Sequence, residues 1–336
     1  MFSSDLASLV ETPLVLARVC VQDRETYLVL TVAGERRVHL SGAARHQIID
    51  ARDLPVVGDY VALDPELATI RHVLPRTNLF ARRAVGGAGD VQNIAANVDR
   101  LFVTVALNRD FNLRRVERYL VAAGGCGVPV GLVLTKSDLV EDPQPYRLAA
   151  EAVAGDAPVV AVCALDAHGL PELSPFRGPG KTLAFVGSSG AGKSTLVNAL
   201  VGEERLAVGA IRSDDDRGRH TTTRRELIVL DDGTCVIDTP GMRELALAGA
   251  SEDVLDAAFD DIATLALTCR FSDCSHETEP GCAVRDGVDE GRLASWRKLR
   301  REAAFELRKT DRSAALAEKR RWKAIHVANR RRSRDR

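Results

Sequence analysis

The residues best suited to chemistry begin at Gly187. The run Gly187-Ser188-Ser189-Gly190-Ala191-Gly192-Lys193-Ser194 fits the pattern G-x-x-x-x-G-K-[ST]. It is preceded by a short apolar run (183–186) and followed by the helix-forming residues Thr195 to Val201, the context in which this pattern binds phosphate. The three glycines let the backbone curl so that its N–H groups point inward at phosphate oxygens. The dipole of the following helix reinforces them. Lys193 is placed to contact the β- and γ-phosphates, and Ser194 to ligate Mg²⁺. The expected ligand is a nucleoside triphosphate with its metal.

A second run selects the base. Thr135-Lys136-Ser137-Asp138 directly follows the apolar stretch 128–134, the position of a guanine-recognition loop of the form Asn-Lys-x-Asp. Asp138 can accept from both guanine N1–H and the exocyclic amine. Adenine lacks that pair of donors and would leave a carboxylate unpaired at a cost. The aliphatic stem of Lys136 lies across the base plane. Thr135 stands where asparagine is usual, which removes an amide that ties this loop to the phosphate loop and predicts weaker binding. Farther on, Val162-Cys163-Ala164-Leu165 follows another apolar run and resembles a Ser-Ala-Lys loop, whose backbone also meets guanine.

Two more segments complete the set. Asp238-Thr239-Pro240-Gly241 follows the apolar run 235–237: Asp238 is expected to hold Mg²⁺ through water and the Gly241 N–H to sense the γ-phosphate. In the polar loop upstream, His220-Thr221-Thr222-Thr223 offers Thr222 or Thr223 as a further Mg²⁺ ligand. Ras-type enzymes place a glutamine after the glycine of the second switch, but here Met242 follows Gly241. His220 is the nearest alternative for orienting the attacking water, set against an exposed loop histidine with no chemical role. The base loop (135–138) precedes the phosphate loop (187–194), the reverse of the usual order. A site assembled from loops at the carboxyl ends of strands survives such a rotation. The segment after Gly241 then leads into the C-terminal region, so nucleotide state is expected to move residues 246–336.

Cys269-x4-Cys274-x-His276-x5-Cys282 places three thiols and an imidazole within fourteen positions. Three soft sulfur donors and one nitrogen leave no open coordination position, which predicts one structural Zn²⁺. Cys20, Cys126, Cys163 and Cys235 lie in or beside apolar runs and read as core residues.

The elements that must position these loops follow from periodicity. Five short β-like runs (14–21, 27–33, 36–40, 56–63 and 68–74), punctuated by Gly34, Gly42, Pro55 and Gly58, predict an OB-type barrel over 1–82. The glycine-rich stretch at 84–89 predicts a linker or mobile loop over 83–97. From 98 to 248, apolar strands alternate with helical segments, as a parallel sheet covered on both faces requires. Residues 249–336 read as a mostly helical, zinc-binding and basic domain. The chain's net charge is −1, yet residues 292–336 hold seventeen Lys/Arg against five Asp/Glu, leaving −13 on the rest. Such asymmetry points to a polyanionic partner, here nucleic acid. No apolar stretch approaches the ~20 residues of a bilayer span, and the N-terminus lacks a signal-peptide pattern. The expectation is a cytoplasmic protein with no membrane partner.

Taken together, Val57-Gly58-Asp59-Tyr60-Val61, Leu74-Pro75-Arg76-Thr77-Asn78, the nucleotide motifs and the Cys/His set resemble the RsgA family of ribosome-biogenesis GTPases. The resemblance implies an OB-fold, a circularly permuted GTPase core and a C-terminal zinc domain with ligands Cys269, Cys274, His276 and Cys282. It further implies a monomer that binds the 30S subunit and its 16S rRNA late in maturation, with ribosome-stimulated hydrolysis of GTP to GDP and His220 as the catalytic residue. Cys163 departs from the serine common in the family. Two other readings fit part of the pattern: an RNA-binding scaffold with GTP as a structural or regulatory ligand, and a P-loop enzyme such as a kinase acting on a small molecule.

Overall fold

The computed structural model describes residues 6, 8–23, 26–48, 50–83, 91–109, 111–202, 225–238 and 250–307. The alternating N-terminal runs form strands Val15–Asp23 (β1), Thr26–Thr31 (β2), Gly34–Leu40 (β3), Tyr60–Asp64 (β4) and Thr69–Val73 (β5). Their pairing runs β1-β2-β3-β5-β4 and returns to β1, closing a five-stranded barrel in which only β3–β5 is parallel. On β2 every second residue is buried, and the inward positions of the barrel are filled by Val19, Val29, Val38, Val61, Leu63 and Ile70. Each such side chain contributes ~1.5–3 kcal/mol relative to exposure.

Leu79–Arg83 (β6) and Val91–Ala96 (β7) pair as an antiparallel ribbon. Thus part of the expected linker 83–97 is a strand. The glycine signal covered only 84–89. Phe80, Ile94, Ala95 and Ala96 are fully buried and need the cover that pairing supplies.

The second half of the sheet contains Arg100–Ala106 (β8), Val130–Thr135 (β9), Val159–Ala161 (β10), Thr182–Val186 (β11), Glu226–Val229 (β12) and Cys235–Asp238 (β13), in the order β10-β9-β8-β11-β13-β12. The first five are parallel and nearly continuous in apolar residues, and β11 and β13 are buried along their whole length. Strand β12 is antiparallel to β13 and also pairs with β1 of the barrel at Val21↔Glu226, so one sheet runs through both units.

Helices Leu113–Gly124, Gln144–Ala154 and Lys193–Val201 connect and cover these strands. The first is capped by Asn112, whose Oδ1 accepts from the N–H groups of Arg114 and Arg115. Beyond β13 lie helices Glu252–Ala258, Asp260–Ala266 and Ala283–Gly287, then a helix over 290–307. This last one buries Leu293, Trp296, Leu299 and Ala303, one face at helical spacing. Among the described residues no helix is long and apolar enough to cross a membrane.

Candidate nucleotide site and metal centre

The phosphate loop follows β11 at the carboxyl end of the parallel strands, where open α/β sheets bind their ligands. Gly187 has φ 154°, and a Cβ there would lie 2.3 Å from the carbonyl oxygen of Thr104 on β8. Only glycine lets the chain leave β11 so close to its neighbour. Gly190 and Gly192 have φ 77° and 84°, and Gly192 precedes the helix Lys193–Val201 whose first N–H groups face the loop. Lys193 is buried, and its Nζ donates to the carbonyls of Gly187 (2.9 Å) and Ser188 (2.8 Å) across the loop. Burial lowers its pKa, and the carboxylate of Asp238 opposes that shift. Asp238 ends β13 in register with Phe185 of β11, and it is 2% exposed. A buried carboxylate within electrostatic reach of Lys193 suits a Mg²⁺–phosphate pair.

The base loop reaches the same place from β9. Thr135 is its last strand residue, and its Oγ1 donates to the carbonyl of Ala191 at 2.6 Å. The expected loss of a tie to the phosphate loop is therefore corrected: the threonine hydroxyl makes that link itself, because the loop backbone comes within reach of a short side chain. Lys136 adopts the left-handed conformation, φ 58°, which turns the chain into the short helix Ser137–Leu139. The N–H of Ser137 donates to Val162 of the third loop. Asp138 is exposed, open to a base. Cys163 is buried, its N–H bonded to the carbonyl of His168. Its thiol contacts the Asp138 and Asp166 carboxylates, and burial raises its pKa. Ala164 follows at the rim. The predicted residues Thr135 to Asp138, Cys163, Ala164, Gly187 to Thr195 and Asp238 thus come from adjacent strand ends. His220, Thr222, Thr223 and Gly241 lie outside the described residues.

At the far end of the chain, the ligand atoms of Cys269, Cys274, His276 and Cys282 all lie within 4.8 Å of one another. His276 Nδ1 is 3.6 Å from Cys269 Sγ and 3.4 Å from Cys282 Sγ. Backbone N–H groups of Val284 and Ala283 hold the Cys269 thiol below its usual range. Cys274 is pushed up to about 11, first by burial and then by the neighbouring thiols. Burial also lowers the His276 pKa, which favours the neutral imidazole that ligates metal. The three-sulfur, one-nitrogen donor set fits a closed tetrahedral Zn²⁺ site. Glu279 accepts from Ser275, Glu277 and Thr278 and fixes the turn between ligands.

A family model described as RsgA GTPase matches residues 73–248, just over half of the chain. The chain belongs to the RsgA GTPase family. It is 43% identical over 335 residues to a small ribosomal subunit biogenesis GTPase RsgA of Opitutus terrae, covering 95% of this chain and 91% of that one. It is 44% identical over 300 residues to the RsgA 2 protein of Lactiplantibacillus plantarum, covering 87% and 84%. Among solved structures, YjeQ from Thermotoga maritima matches with a TM-score of 0.63 at 25% identity, covering 87% of this chain and 99% of that one. A circularly permuted GTPase, YloQ, matches in fold with a TM-score of 0.58. As an RsgA GTPase, the chain hydrolyses GTP.

Two features of this chain's packing are not visible in its motifs. Arg18, on the apolar strand β1, is fully buried; it donates to Thr182 Oγ1 (2.7 Å) at the start of β11 and lies over the Tyr60 ring. A lone arginine among valines was the available signal. The runs 57–61 and 74–78 mark the resemblance without revealing what Asp59 and Arg76 do. Asp59 is fully buried and takes a two-pronged contact from Arg76, both bonds at 2.7 Å. Beside it, Asn97 ties Thr77 to Gly58. These residues form the joint between barrel and GTPase sheet.

Proposed function

We propose that this RsgA-family protein is an assembly factor that binds the 30S ribosomal subunit late in its maturation and hydrolyses GTP under stimulation by that particle. The observation that carries this reading is the Thr135–Ala191 contact, which joins a guanine loop to a phosphate loop in rotated chain order, as expected of a permuted GTPase. In this reading Asp138 and the backbone of Cys163 and Ala164 select guanine. The loop 187–192 and Lys193 hold the phosphates, with Ser194 and Thr195 opening the helix behind them. Ser194, Asp238 and either Thr222 or Thr223 would hold Mg²⁺, which offsets phosphate charge as the γ-bond breaks. Gly241 would sense the γ-phosphate, and His220 would orient water in place of a glutamine.

The names of the relatives support the small subunit as partner. Contact with 16S rRNA is supported by the arginines on the barrel, where Arg36 and Arg37 of β3 are exposed, and by the basic residues from 292 onward. The protein would act as a cytoplasmic monomer, and one Zn²⁺ on Cys269, Cys274, His276 and Cys282 would hold the C-terminal fold together.

GTP turnover measured with purified 30S subunits, with 50S subunits as the control, tests the proposal. Strong stimulation by 30S alone is expected. Guanine-specific binding without stimulation would instead favour an RNA-bound scaffold that uses GTP as a structural ligand.

A further inference from the structure

The helix Leu113–Gly124 has two working faces. Arg115 and Tyr119 wall one side of a cleft whose other side is the phosphate loop at Ser188, Ser189 and Gly190. The opposite face meets the C-terminal unit through Glu117, a carboxylate with no solvent exposure. Its Oε1 accepts from Arg114 Nη1 at 2.6 Å and from Arg292 Nη1 at 3.0 Å. Arg292 comes from the helix over 290–307 and is itself clamped, with both of its bonds to Asp261 at 2.6 Å and its guanidinium 4.7 Å above the Phe259 ring. Two further ion pairs cross the same seam in more exposed positions, Arg118–Glu302 at 2.5 Å and Arg114–Asp289 at 2.7 Å.

The buried pair differs from the exposed ones in what it does. A buried carboxylate held by arginines gains little net stability over an apolar pair, because desolvation offsets most of the attraction. What it does supply is a single permitted geometry. Helix Leu113–Gly124 can then keep only one position relative to the C-terminal unit, and that position sets the wall of the phosphate loop.

We propose that Glu117, gripped by Arg292, is a positioning residue for the nucleotide: it fixes helix Leu113–Gly124 against the phosphate loop, and nucleotide retention depends on that grip. The inference rests on the GTPase reading and adds a route from the C-terminal unit to the phosphates that does not pass through the second switch. A partner that pulls on the C-terminal helices would act on bound nucleotide through this pair.

The test uses the full chain and a fluorescent GDP analogue, with release followed by stopped flow and kcat and KM for GTP measured alongside. Glu117→Gln and Arg292→Gln should each speed release by at least about fivefold, the lower end of typical site-to-site coupling. The double variant should release no faster than either single one, because both cut one link. Arg292→Lys keeps the charge but not the guanidinium's fork to Glu117 and Asp261, and should recover only part of the slow release. Glu302→Gln breaks an exposed pair and should leave release within about twofold, as surface pairs contribute little. Parental release rates in both single variants, multiplied effects in the double variant, or equal acceleration by Glu302→Gln would each overturn the proposal. If Glu117→Gln does not fold, Arg292→Gln and Arg292→Lys carry the same comparison. Failure of the GTPase reading would look different: the parent chain would show no guanine preference at all.

Discussion

The hydroxyl of Thr135 lies 2.6 Å from the carbonyl oxygen of Ala191, so the base loop and the phosphate loop, fifty-six residues apart, share one short hydrogen bond. Thr135 is 1% exposed, and the bond is sheltered from water. Thr135→Val keeps the shape and removes the donor. It is expected to weaken GTP binding about fivefold, the effect of a lost buried hydrogen bond near 1 kcal/mol, whereas Thr135→Ser should bind as the parent does. Titration with a fluorescent GTP analogue separates the outcomes, and an unchanged valine variant would remove the tie from the account.

Base choice has its own handle. Asp138→Asn replaces an acceptor oxygen by a donor amide facing guanine N1–H and N2–H₂, so affinity for GTP should fall steeply. Xanthine keeps N1–H and carries a carbonyl acceptor in place of the exocyclic amine, so it should then compete better than guanine. A competition assay with GTP, XTP and ATP reads this directly; retention of GTP preference would move base recognition away from Asp138.

The joint between barrel and core tolerates no side chain at Gly58. Its φ is +92°, and a Cβ would fall 2.2 Å from the carbonyl oxygen of Ala96. Gly58→Ala is expected to cost ~2–4 kcal/mol by forcing backbone movement in a packed joint, seen as a drop of several degrees in melting temperature. A melting curve matching the parent's would show that the joint is slack.

Cysteine chemistry should divide by environment. Burial and the nearby Glu35 push the Cys20 thiol up to about 12, and burial likewise raises Cys126, Cys163 and Cys235. A raised thiol pKa means less thiolate at neutral pH and slow alkylation. Cys269 is shifted the other way by backbone donors. After treatment with a chelator, iodoacetamide at pH 7 should therefore label Cys269 first, with labelling of Cys20 negligible until the fold opens. Peptide mass spectrometry gives the order, and prior labelling of Cys20 would contradict it.

Much of the nucleotide site could be read from the chain because its motifs are local: Gly187 to Ser194 needs only a strand before it and a helix after it. The five barrel strands were equally legible as short β-branched runs set off by Gly and Pro, although strict alternation of burial holds only on β2. Residues that act across long separations were not. Thr135 looked like a loss because its partner is a backbone carbonyl on another loop, which no side-chain pattern reveals. Val91–Ala96 hid behind a glycine-rich neighbour. Glu117 reads as an ordinary helix-surface acid until the helix over 290–307 is laid against it, 175 residues later.

The pairing of β1 with β12 also bears on how far this protein can be taken apart. Strand β12 would otherwise be the outer strand of the GTPase sheet, with a row of unpaired backbone donors and acceptors beside apolar side chains. The barrel occupies that edge. Excising the barrel to obtain a minimal GTPase would uncover a sticky border, and exposed edges of this kind recruit other strands. Such a truncation should keep its nucleotide loops and still fail in the test tube, by associating with copies of itself.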